Sequence, residues 1–265
     1  MNSCQYKDII FKNLYVILEM IDRAIIEIKN NLRKKALPLS QEEIIRKNKI
    51  LNSTNPNFIS YGLKMDQIDK IVKDIYQKYC NSYEDAVNVF KELICSNIHE
   101  EKFAAILFLN RSKTEFDETT INLIQDTYTK HCDTWALCDS TMIKVIGPFL
   151  AKKGNEKLAK KTIESWSNSE NMWIRRASMV ILLKLTMIRK EFFETQVFDI
   201  IEKMLPSSED YIQKGIGWLL KTCSKYKPSV IIKYLNKNKK RLTRLVLRYA
   251  TEKLSLEVRK QILKN

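Results

Sequence analysis

Residues 209–224 read EDYIQKGIGWLLKTCS, and the choice of fold turns on this stretch. Ile212, Ile216, Leu219, Leu220 and Cys223 recur at the spacing of one helical face at about 100° per residue. Gly215 and Gly217 form a GxG, but they lie inside that helical pattern with no strand before them. A dinucleotide-binding loop is therefore excluded. Trp218 points away from the apolar stripe, with Tyr211, Lys214, Thr222 and Lys225 around it. The same period runs outward through nearly the whole chain. Ile10, Leu14, Ile17, Leu18, Ile21, Ile25 and Ile28 mark a long first helix that fades at Arg33-Lys34-Lys35 and stops by Pro38. Further helices are expected over 41–51, 66–80, 83–95, 100–110, 117–128, 134–150, 156–166, 172–188, 191–204, 229–235 and 241–253. Ser169-Glu-Asn and Ser207-Ser-Glu-Asp stand as N-terminal caps. The clearest loop is 52–61, NSTNPNFISY.

Composition agrees with this reading. Five glycines and five prolines in 265 residues are about a third of the ordinary share. They are too few for the turns of an antiparallel sheet protein. With 45% hydrophobic and 29% charged residues, the chain suits a globular protein of one large domain or two small ones. Helices of this length in short-looped pairs predict an all-α fold, an α-solenoid of HEAT-like repeats. Asp139, Arg176 and Trp218 each fall in the second helix of a pair. They are 37 and 42 residues apart, near the HEAT period of about 40–47. Equivalent positions of successive repeats then face one concave groove.

The net charge is +15, which points to a polyanionic partner. Residues 236–265 hold ten cations and two anions, and Arg241, Arg244 and Arg248 form one expected helical row. If six such groups met phosphates, affinity would fall with a log–log salt slope of about −5. No apolar run reaches the ~20 residues of a membrane span, and 1–10 lacks the pattern of a secretory leader. The six cysteines have no CxxC spacing and read as reduced thiols of a cytoplasmic or nuclear protein. His131-Cys132 with Cys138 lacks zinc-site spacing, and no GxSxG, P-loop or HExxH occurs.

Within 134–150 the apolar stripe runs through Trp135, Cys138, Met142, Ile143, Ile146 and Phe149, and Asp139 sits inside it, one turn from Trp135. A carboxylate there is costly unless paired or used. The plainer reading is a structural ion pair with an arginine of the neighbouring repeat; the functional one is a site residue. Likewise Trp218 either packs on the adjacent repeat or, among lysines, contacts nucleic acid.

Several stretches are similar to the DNA alkylation repair enzymes of the HEAT-like glycosylase family (AlkD-like). They are TWALCDS (134–140), NMWIRRASMVILLKL (171–185), DYIQKGIGWLLKTCSKYKP (210–228) and RLVLRYATEKLS (244–255), with SYGLK (60–64) and HEEKFAAILFL (99–109) matching more loosely. The resemblance covers about 55–255. It implies a glycosylase domain over 53–265, with 1–52 a helical extension packed on the solenoid. It further implies double-stranded DNA with alkylated bases as partner, no metal or cofactor, and a monomer. Carried over by position, the site residues are Trp135, Asp139, Arg176 and Trp218. Asp139 would stabilise an oxocarbenium-like sugar and place a water. The indoles would press on sugar and cationic nucleotide, and Arg176 would hold a phosphate and orient Asp139. Arg175, Lys214, Lys225, Arg241, Arg244 and Arg248 would bind DNA. Ala136 replaces an Asp frequent in the family, Cys138 a Val, and Met65-Asp66 a Pro-containing turn. The resemblance implies excision of 3-methyladenine and 7-methylguanine; the alternative is a non-catalytic HEAT-like binder of damaged, bent or branched DNA, and a third reading is a protein-binding scaffold. The glycosylase reading requires an open carboxylate at 139; one sealed from solvent would overturn it. It also expects Asp139→Asn to fold and bind normally.

Overall fold

A computed structural model describes the backbone of residues 3–36 and 38–264, with side chains placed from residue 19 apart from residue 37. The described residues form an all-α helical repeat fold consistent with a HEAT-like solenoid; they contain no strand, only an isolated bridge between Ile59 and Ile98. The chain divides into two compact units, Met1–Asp117 and Glu118–Asn265.

The first unit holds α1 (Ser3–Lys35), α2 (Gln41–Leu51), α3 (Met65–Tyr79), α4 (Tyr83–Ile94) and α5 (His99–Arg111). The α1 helix packs on α3, α4 and α5 through the buried Ile21, Ala24, Ile25, Ile28 and Leu32. Ile10, Leu14, Ile17 and Leu18, expected on the same stripe, lie outside the described side chains. The loop after α2 is fixed by one buried carboxylate. Glu100 accepts from the Ser60 hydroxyl at 2.8 Å and from the backbone N–H groups of Tyr61, Gly62 and Leu63 at 2.8, 2.8 and 3.2 Å. Gly62 supplies the left-handed turn this needs, at φ +83°.

The second unit comprises α6 (Glu118–His131), α7 (Trp135–Thr141), α8 (Gly147–Leu150), α9 (Glu156–Ser167), α10 (Met172–Arg189), α11 (Glu194–Met204), α12 (Asp210–Cys223), α13 (Pro228–Asn238), α14 (Arg244–Ala250) and α15 (Leu256–Leu263). The α10 helix is its centre. It packs on α7 and α8, on α9, and on α12; α12 in turn packs on α14, with α11 and α13 also against it. The two glycines of the opening motif account for the tight packing of α12. A Cβ at Gly215 would stand 2.7 Å from Met179 Cε on α10, and one at Gly217 would stand 2.5 Å from Tyr249 Cβ on α14. The glycines bring helix axes together.

Four expectations are corrected. The helix over 134–150 is continuous but not regular: a π-turn, Met142–Ile146, lies between its α-helical parts α7 and α8. Pro148 has no N–H for the carbonyl four residues back, and its ring would strike that carbonyl in a regular helix. The last basic helix starts at Arg244, because the Thr243 side chain caps it by accepting from Val246 N. Arg241 therefore lies in the preceding turn, and the three-arginine row reduces to Arg244 and Arg248. The C-terminal helix α15 was not anticipated; its sequence buries only Ile262, too little to show a periodic stripe. Finally, Asn171 rather than Ser169 caps α10, accepting from Trp173 N and Ile174 N, while Ser207 bonds Glu209 and no side chain caps α12.

Candidate functional site

Thr134 starts α7 by accepting a hydrogen bond from Leu137 N. The first turn then carries Trp135, half-buried, and Asp139 one turn later on the same face. Asn171 starts α10 in the same way, which sets Arg176 in its second turn. The packing of α7 on α10 brings the two side chains together. Arg176 Nε donates to Asp139 Oδ1 at 2.8 Å and Nη2 to Oδ2 at 2.7 Å, a bidentate pair. The remaining Nη1 donates to the Tyr211 carbonyl at the start of α12. Cys138, beside Asp139, is buried in the same contact, with its Sγ 3.5 Å from the Trp173 carbonyl.

The pair is nearly closed off. The Asp139 side chain keeps 10% of its exposure and Arg176 keeps 6%, so the carboxylate is buried, contrary to the open one that the glycosylase reading expects. Burial pushes the Asp139 carboxyl above the usual carboxylate value, opposed by the hydrogen bonds and charge of Arg176. Burial works against the Arg176 cation too, but Asp139, with Cys138 and Tyr211, holds its pKa above the ordinary arginine value. A guanidinium that does not give up its proton faces the carboxylate squarely, so the pair is ionic.

Trp218 lies on α12, the helix whose Tyr211 carbonyl receives Arg176. Arg176 Nη1 lies 3.6 Å from where a Gly215 Cβ would be, one turn before Trp218, which is half-buried. Tyr211 is a member of the site that periodicity alone did not single out. Its ring lies 5.0 Å from that of Trp173, with the Arg176 guanidinium at 5.8 Å and Lys214 Nζ at 5.3 Å from its centroid. The signal in the sequence was its place among the residues around Trp218.

The cations sort into two groups. Arg175 is spent within the chain, on the Ser169 and Glu170 carbonyls and on Glu209. Lys214 pairs with Asp210 at 3.1 Å, and Arg241 with Glu202 at 2.5 Å. Arg244 donates to the Leu263 carbonyl at the end of α15. Arg248 and Lys225 are exposed. Arg176, expected to hold a phosphate, has its fork committed to Asp139 and Tyr211 instead. Among the described residues, no three His, Cys, Asp or Glu side chains cluster closely enough to hold a metal ion, and no helix is long and apolar enough to cross a membrane.

The family model of the DNA alkylation repair enzyme matches residues 28–254. The chain belongs to that family. The match begins within α1. A solved structure described as a predicted DNA alkylation repair enzyme from Enterococcus faecalis is similar in fold. Its TM-score is 0.70 at 17% identity, over 82% of this chain and 97% of that one. No match was found among the curated proteins.

Proposed function

We propose that this member of the family is a monofunctional DNA glycosylase that releases cationic alkylated purines, 3-methyladenine and 7-methylguanine, from duplex DNA. The observation that carries the reading is the Asp139–Arg176 pair on α7 and α10, with Trp135 a turn before the carboxylate and Trp218 on the adjoining helix α12. A ring-alkylated purine already bears positive charge, so it leaves without a strong general acid. As the C1′–N bond breaks, its electron pair neutralises the departing base and leaves an oxocarbenium-like sugar. Asp139 stabilises that cation and orients a water, whose oxygen bonds to C1′ and whose proton passes to the carboxylate or solvent. Trp135 and Trp218 offer electron-rich faces to the sugar and the cationic nucleotide. Arg176 is a positioning residue that fixes the carboxylate plane. Phosphates are met by the exposed Arg248 and Lys225, while Arg175, Lys214, Arg241 and Arg244 enter only if their internal partners release them.

One observation favours a second reading. The near-complete burial of the pair suits a structural strut in a non-catalytic protein that binds damaged, bent or branched DNA. Incubating the purified chain with methylated duplex DNA and scoring free bases and abasic sites separates the two. Base release that falls by orders of magnitude in Asp139→Asn and in Trp135→Ala, both checked for folding by circular dichroism, supports the glycosylase. Retention on DNA with no release from the wild type refutes it.

A further inference from the structure

The π-turn Met142–Ile146 joins two points at which its segment is fixed to α10. At the first, Asp139 meets Arg176 through the bidentate pair. At the second, Gly147 lies so close to α10 that a Cβ there would stand 2.6 Å from Lys184 Cγ and 2.9 Å from its Cβ. Asp139 and Gly147 are eight residues apart in the chain. On an unbroken α-helix, eight steps of about 100° leave two residues roughly 80° apart around the axis. A π-turn absorbs one extra residue, so the rotation matches seven steps and ends about 20° short of two full turns. Both residues then share the face turned to α10, which is the face on which both contacts are found.

Two neighbours hold this arrangement. The Gly147 N–H reaches back five residues to the Met142 carbonyl, and a Cβ at 147 would stand 2.5 Å from that same oxygen. Pro148 can offer no N–H to the Lys144 carbonyl, and its ring excludes the α-helical position of that group. Lys144 is exposed, while Met142, Val145 and Ile146 of the same turn are buried.

We infer that the π-turn is a register device for the Asp139–Arg176 pair, and that Pro148 is the positioning residue that enforces it. The inference rests on Asp139 being the working carboxylate of the proposed glycosylase. Without the proline, an N–H at 148 bonds the Lys144 carbonyl and the segment gains an unbroken α-helix. That helix turns Asp139 and Trp135 by about 100° around the axis relative to Gly147.

The test uses Pro148→Ala in the full chain, followed by two measurements. Carboxyl NMR titration follows Asp139 directly, and single-turnover release of 7-methylguanine follows excision at saturating protein. The Asp139 titration is expected to move toward the ordinary carboxylate value of about 3.9. The release constant should fall at least about tenfold, with the Kd for DNA within about threefold of wild type. Deleting Lys144 from the Pro148→Ala chain should restore both, because seven α-helical steps reproduce the wild-type rotation. Wild-type titration and rate in Pro148→Ala, or no recovery on deleting Lys144, overturns the inference. A wild type that releases no base sinks the glycosylase reading alone, since the titration and its recovery still decide the register.

Discussion

Breaking the buried pair should be costly in a way that can be apportioned. Asp139→Asn keeps the side-chain shape but turns one oxygen into an N–H₂ that faces Arg176 Nη2 or Nε, so at least one of the bonds at 2.8 and 2.7 Å is lost. It also strands a guanidinium whose side chain keeps only 6% exposure. Each charge-assisted bond contributes about 1.5–3 kcal/mol, and removing one partner of a buried pair costs about 3–5 kcal/mol. Asp139→Asn is therefore expected to lower stability by about 3–5 kcal/mol, contrary to the sequence-based expectation of unaffected folding. Arg176→Gln should cost at least as much, because it also loses the bond to the Tyr211 carbonyl. The double variant leaves two neutral amides and should fall short of the summed single losses by about 2–3 kcal/mol. Urea unfolding followed by circular dichroism measures all three. Single losses under about 1 kcal/mol, or strict additivity, would refute the reasoning.

Three further outcomes follow from the geometry. The His99 ring is packed between Phe58 and Phe103, at 5.4 and 4.6 Å, with its Nδ1 closed from solvent. Burial first, then the charges of Lys102 and Lys47, lower its pKa to about 4 from 6.5. The unfolded chain alone binds the proton between those values, so stability is full above pH 6.5 and falls by about 3 kcal/mol as pH drops toward 4. His99→Phe should flatten that slope in urea titrations at pH 7 and 4.5, and an unchanged slope would count against it. Gly217→Ala drives a methyl into Tyr249 and the Val246 carbonyl and should cost about 1–3 kcal/mol, read as a lower Tm. Arg248→Ala should reduce the salt slope of DNA binding by about 1. Arg241→Ala should change it less, because that guanidinium already serves Glu202; equal effects across a salt series would contradict this division.

Most of the fold was legible because buried stripes at helical spacing are strong signals: Ile21, Ile25 and Ile28 on α1, and Ile212, Ile216 and Leu219 on α12, are all buried. Asp139 stood out as a misfit on its apolar stripe and Trp218 as a large aromatic off its own, and the plainer reading of Asp139, an arginine partner on the neighbouring repeat, describes its actual contact. What escaped were effects that depend on a single residue against its neighbours. Gly147-Pro148 sat inside an apolar period that continued across it, so the pattern concealed the π-turn. Thr243 displaced Arg241 from its helix through one hydrogen bond, and the i, i+3, i+7 count had no access to that bond. The uses of Arg175 and Arg241 were hidden for a related reason, since their acceptors, Glu209 and Glu202, lie more than thirty residues away. Charge counting registers a cation but not the carboxylate that already holds it.

A carboxylate bound squarely by a guanidinium presents its surroundings with a dipole and not with a bare charge. The attraction felt by an approaching cation then decays faster than the inverse of distance and depends on the line of approach. It is strongest along the axis that leads from the anionic end outward. In the proposed glycosylase, the same closure makes Asp139 a short-range, directional detector, indifferent to positive groups that pass at a distance and responsive to one pressed against it.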